Sequence, residues 1–210
     1  MSKDLDFKAA EKVTDTALRH VARGTPILDA WPDVVKAARP AIGPTLAALA
    51  LRLPIVESLT TVTAEFAALL GRDRPGPAIK GLWIGLVELA ADDDRTEWVP
   101  YIAGSRRFNP DNPDWPVNPA WFPDDCYAPN PALRTLSDAR RKHAKHSWAI
   151  ETMLIEPLTY LMVSRFVRDT PPHILLAGAK RRGIGAGFDE GDHTTLGVIT
   201  PKGFEPAKLP

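Results

Sequence analysis

Residues 81–90 read GLWIGLVELA, and the fold turns on this stretch. Apolar side chains fall at odd and even positions alike, and Trp83, Ile84 and Val87 favour extended backbone, so the run reads as an interior strand covered on both faces. DDDR at 92–95 supplies a turn. EWVPYIAGSRRF at 97–108 is a second extended run, and its Pro100 loses one ladder hydrogen bond, which places it at an edge or bulge. These two runs form a hairpin. Towards the C-terminus GIGAGF (183–188) and HTTLGVIT (193–200) flank the turn-rich DEGD, a second break of hairpin length. The expectation is an antiparallel sheet of about four strands from two hairpins, with 82–89 in its interior.

Between the hairpins, NPDNPDWPVNPAWFPDDCYAPNP (109–131) holds seven prolines together with Trp115, Trp121, Phe122 and Tyr127. That is too aromatic for a free linker, so the segment is expected to be ordered, with Trp115 and Trp121 mostly buried. Asn130 and Pro131 then read as an N-cap and first helical residue, opening a helix through Leu133 and Leu136. WAIETMLIEPLTYLMVSRFV (148–167) is apolar on nearly every side and marks a central, enclosed helix. Upstream, Phe7, Ala10, Val13, Ala17 and Val21 recur at steps of three and four before Gly24, the pattern of an amphipathic helix with its stop. Prolines at 26, 32, 40, 44 and 54 then cut the chain into short helices. Pro54 opens a further helix with Leu59, Val62, Phe66 and Leu69 inward, ended by Gly71. The fold class expected is α+β in one domain, 1–210: a helical part, 1–72, and a sheet, proline-rich loop and central helix across 81–205, with the sheet packed on that buried C-terminal helix.

The balance of charge narrows the partners. Lys plus Arg and Asp plus Glu stand at 26 each among 210 residues, so no net field draws the chain to a phosphate backbone or an anionic membrane. The most apolar stretch, Ala41–Leu51, is far shorter than the roughly 20 residues a bilayer crossing needs, and 148–167 is interrupted by Glu151, Glu156 and Pro157. Cys126 is the only cysteine and no basic-then-apolar leader is read near Met1, so a cytoplasmic protein is expected, binding neither nucleic acid nor membrane.

No sequence motif for catalysis stands out. There is no G-x-S-x-G, and GRDRPGPAIKG lacks the GK[ST] of a phosphate loop, so no cofactor is expected. His143, His146 and Glu151 have spacing conceivable for a metal, but histidines in a solvated RRKHAKH stretch ordinarily meet water, and no metal site is assigned. Cys126 reads as a small buried hydrophobe. The glycines of GIGAGF read as places where a bulky neighbour approaches the sheet closely. Glu156 on the apolar helix is expected to be buried and paired with a cation from another element, RRF at 106–108 or KRR at 180–182. The exposed features are acidic turns: Asp92, Asp93 and Asp94 on one hairpin, Asp189, Glu190 and Asp192 on the other, a pattern that suits a cation or a basic protein partner, though neither has calcium-loop spacing.

GIGAGFDEGDHTTLGVITPKGF together with GLWIGLVEL, WVPYIAGSRRFNPDNPDW and FPDDCYAP resembles bacterial proteins encoded beside polymorphic toxins and held to serve as their immunity proteins; the resemblance spans 81–205. It implies a binding protein that blocks a cognate toxin domain and has no reaction of its own. A second reading is a small hydrolase or transferase whose site lies between the proline-rich loop and the central helix, using Glu156, His143 or Cys126.

Overall fold

The computed structural model of the chain describes residues 3–91, 95–112, 114–189 and 193–208. Helix α1 (Lys3–Arg23) turns Val13, Ala17 and Val21 inward, and Gly24 ends it at φ +67°, where a side chain would be strained. Phe7, expected in the same stripe, is exposed and stacks edge-on against Trp148. Helix α2 (Ile27–Ala50) corrects the expectation of short pieces: Pro32 and Pro40 lie inside it, and one break falls at Gly43 (φ 80°, ψ 170°) just before Pro44. An interior proline costs about 3 kcal/mol. Burial of Trp31, Val34, Val35 and Ile42, at about 1.5–3 kcal/mol for each large side chain, outweighs that loss. The Trp31 indole then donates to the Ala50 carbonyl at 2.8 Å and holds the two arms of the bend together. Helix α3 (Ile55–Arg72) buries Val62, Phe66 and Leu69.

Strands β1 (Gly81–Ala91) and β2 (Arg95–Ser105) form the first hairpin, and β3 (Arg182–Phe188) and β4 (His193–Thr200) the second. A fifth strand, β5 (Gly203–Pro206), pairs with β4, and the order across the sheet is β2-β1-β3-β4-β5. The architecture is α+β, with β1 in the interior as its composition requires. Two details depart from expectation. The sheet has five strands and is mixed, because the hairpins join through a parallel β1–β3 pair, Gly81 opposite Gly183 through Leu86 opposite Phe188. The helices between the hairpins return the chain across one face of the sheet, the long crossover that parallel neighbours need. Nor is the enclosed helix C-terminal, since β3, β4 and β5 follow it.

Those helices are α4 (Pro131–Lys142), α5 (Ser147–Ile150), a π turn (Glu151–Ile155), α6 (Glu156–Asp169) and α7 (Pro172–Leu176). Asn130 caps α4, its side-chain oxygen accepting from the Leu133 N–H at 3.0 Å. The π turn sits just ahead of Pro157, whose ring and missing N–H disrupt bonding to the Met153 carbonyl, and the Glu156 N–H reaches back instead to Glu151. Helix α6 lies between the sheet and α1 with α2, which is why it is apolar all round.

The two faces of the sheet are covered differently. Ile84 and Pro100 meet Val62, Phe66, Leu133, Met162 and Phe166 on the helical face. On the other face β1 and β3 align Gly81, Gly85, Gly183 and Gly185, and the rings of Trp115 in the proline-rich segment, of Phe108 just ahead of it and of Tyr101 in β2 lie on them. A Cβ on Gly81 would stand 2.4 Å from the Trp115 ring, and one on Gly183 would stand 2.0 Å from Phe108. Trp115 is wholly buried, while Trp121 is half-buried with its indole donating to Asp73 at 3.2 Å. Residues 120–128 also bond along the outer edge of β2, Gly104 N–H to Trp121 at 2.8 Å and Ala128 N–H to Pro100 at 2.9 Å, so that edge is covered.

Arg182 begins β3 with no solvent exposure and, among the described residues, no carboxylate partner. Its guanidinium donates to the carbonyls of Pro75, Gly76, Ile79 and Leu175, fastening the α3–β1 connector and α7 to the sheet. Burial pushes it down to about 10, still charged at neutral pH. Among the described residues no single helix is long and apolar enough to cross a membrane; α2 and α3 reach that composition only as a pair bent by 79°.

Candidate functional site

The parallel β1–β3 pair sets where the hairpin ends lie. Both strands run the same way, so the C-terminal ends of β1 and β3 lie at the same end of the sheet. Strand β1 continues five residues beyond Leu86, so its last residue, Ala91, lies about 16 Å beyond the Leu86–Phe188 pair. Asp92, Asp93, Asp94, Glu190 and Asp192 lie outside the described residues.

Asp189 is described, and it organises a cluster that the sequence reading did not anticipate. Its carboxylate accepts from the Tyr101 hydroxyl at 2.5 Å, and that oxygen accepts in turn from the Trp83 indole at 3.1 Å. The phenol lies flat over Gly85, where a Cβ would stand 2.3 Å from the ring. Phe122 and Tyr127 flank Tyr101 with ring centroids at 5.6 and 6.0 Å. Both are exposed, at 51% and 41%. Along 122–127 exposed Phe122, Asp124, Asp125 and Tyr127 are interleaved with buried Pro123 and Cys126, because Cys126 accepts from the Ile102 N–H and Tyr127 bridges to Tyr101.

The surface so built is aromatic and anionic. Burial raises Tyr101 well above the usual tyrosine range, and the hydrogen bond and charge of Asp189 raise it further against the opposing Trp83 N–H. Tyr127 is raised by burial and then by Cys126 and Asp189. Cys126 is raised by burial, with Asp125 and Asp124 adding to it against the group's backbone hydrogen bond. That direction keeps the thiol protonated, the reverse of what a nucleophile needs. Among the described residues no Lys or Arg lies within ion-pair distance of Asp124, Asp125 or Asp189.

Residues named for a hydrolytic site are dispersed. Glu156 is half-buried rather than buried, and it accepts from the Tyr160 hydroxyl. Tyr160 also accepts from Thr194 of β4 at 3.1 Å. Cys126 lies outside β2, four strand spacings from β4, about 19 Å. His143 ends α4 with its N–H on Ala139 at 2.9 Å. Glu151 is taken by Arg140, and among the described residues no three His, Cys, Asp or Glu side chains are placed to hold a metal ion. A cleft of about 700 Å³ opens elsewhere, between Leu18 and Val21 of α1, Phe108, and residues 193–198 of β4.

No protein-family model, curated protein or solved structure gives a significant match to the chain.

Proposed function

We propose that the protein is a cytoplasmic immunity or inhibitor protein of bacteria that binds a cognate toxin domain and blocks its active site, without a reaction of its own. The observation behind this reading is the face of Asp189, Asp124 and Asp125, without a Lys or Arg partner among the described residues, around exposed Phe122 and Tyr127. Exposed aromatic side chains give contact area at low entropic cost, and charge complementarity sets on-rate and partner choice. A toxin acting on nucleic acid or nucleotides presents a basic cleft, and carboxylates held beside aromatic rings occupy the place of its phosphates and bases.

Co-expression with the toxin encoded beside the gene tests this. The unmodified chain should restore growth, and the variant Asp124→Lys, Asp125→Lys, Asp189→Lys should fail to do so while still folding, at a melting temperature lowered by loss of the Tyr101–Asp189 hydrogen bond and by a lysine at the φ 55° of position 125. Protection by the charge-reversed variant removes this face from the interface, and absence of protection by the native chain removes the immunity reading.

A further inference from the structure

On the helical face, behind the same hairpin, a second cavity of about 340 Å³ is lined by Glu88, Trp98, Arg140, Trp148, Glu151 and Phe188. Five elements converge there: β1, β2, the end of β3, α4 and the α5–π segment. Arg140 lies over the Trp98 ring, 5.8 Å from its centroid, with one terminal nitrogen on Glu88 and the other on Glu151. Both carboxylates use the same oxygen, Oε1, and Glu88 Oε1 also accepts from Thr96. The Oε2 atoms of Glu88 and Glu151 have no partner among the described residues. The side chains are only 31% and 22% exposed, so these acceptors are partly shielded from water.

The lining therefore holds two carboxylates against one guanidinium, a net charge of −1, inside aromatic walls. Phe188 packs on Trp98 at 4.8 Å, and Trp148 is held by an edge contact with Phe7 at 5.3 Å. One wall is the π turn, a local widening of a helix that recurs at functional sites. An anion entering here would meet the carboxylates before the already engaged guanidinium. A cation would meet two free acceptors and the faces of indole and phenyl rings.

We propose that this cavity binds a primary ammonium on an apolar stem, from a free amine or from the lysine of a partner, sharing the Glu88–Glu151 clasp with Arg140. The head would sit on the two Oε2 atoms and the stem along Trp148 and Phe188. This site is independent of the Asp189 face, on the opposite side of the sheet.

The test uses the full chain, n-butylammonium, butyrate and 1-butanol as probes, and the indole N–H resonances of Trp98 and Trp148 as the readout. Butylammonium should shift both in a saturable manner with a dissociation constant on the order of a millimolar, while butyrate and butanol shift neither. Glu151→Gln should weaken binding about tenfold, and Arg140→Met, which removes the competing cation, should tighten it about tenfold. These opposite signs separate recognition from misfolding, which would weaken both. The peptide acetyl-Gly-Lys-Gly-amide decides the source: tighter binding than butylammonium assigns a partner's lysine, equal or weaker binding a free amine. Saturable binding of butyrate, binding of butanol equal to that of the amine, or weakening by Arg140→Met would overturn the proposal.

Discussion

Tyr101 is the residue at which the environment of the acid–aromatic face can be read directly. Its hydroxyl is buried and donates to Asp189, so its folded ionisation lies above the unfolded value of about 10. A group raised on folding contributes stability that is fully present below the unfolded value and lost as pH rises through the folded one. The phenolate absorbance step missing from Tyr101→Phe should therefore lie above pH 10, with stability falling over the same range. In Asp189→Asn that step should move down, though not to the ordinary value, because burial, the larger cause, remains. A step at or below pH 10 in the native protein would contradict the geometry. Arg182 makes a complementary prediction. Arg182→Met leaves four carbonyls without their donor, three of them in buried bonds, and should cost about 3–5 kcal/mol in urea unfolding. Arg182→Lys retains the charge but lacks the planar fork, and should recover only part of the loss.

At the scale of elements, the glycine rows of β1 and β3 determine how the proline-rich segment lies on the sheet. Gly81→Ala and Gly183→Ala drive a methyl into Trp115 and Phe108 and should each cost about 1–3 kcal/mol. Gly71→Ala, with nothing within 4 Å on the last turn of α3, should leave stability unchanged or raise it by up to about 1 kcal/mol. Denaturant midpoints of the three variants check this, and a neutral Gly183→Ala would show that Phe108 does not rest there. The glycine rows were legible in GIGAGF, as was β1 in its two-sided apolar run and α4 in its Asn-Pro start, because each is written in neighbouring residues. The parallel β1–β3 pair was not. Nothing in the local pattern of either strand distinguishes a parallel from an antiparallel neighbour, since these strands are buried on both faces and their pairing depends on the helices that intervene. Strand β5 is four residues, too short for a period, and α2 keeps its interior prolines through burial that only tertiary packing supplies. At the candidate site Asp189 was visible as a turn acid. Phe122, Asp124, Asp125 and Tyr127 were not, because an aromatic in a proline-rich segment carries apolar area that suits burial as well as exposure. Paired aspartates within FPDDCY were the signal that part of it faces outward.

At the scale of the whole molecule, a chain with no net charge concentrates unpaired acidity near one end of its sheet. Such a distribution attracts a basic partner locally without making the protein a general polycation binder, and its effect fades beyond a Debye length of about 8 Å at physiological ionic strength. Alanine at Phe122 or Tyr127 should therefore raise the dissociation rate, while loss of the aspartates should lower the association rate and flatten its dependence on salt. The most direct test is the affinity of the native chain and of the Asp124→Lys, Asp125→Lys, Asp189→Lys variant for the toxin domain encoded beside the gene, measured by calorimetry at low and high salt. The native chain should bind tightly and more weakly as salt rises, and the variant should bind at least about 100-fold more weakly with little salt dependence. Equal affinity of the two chains at both salt concentrations would contradict this.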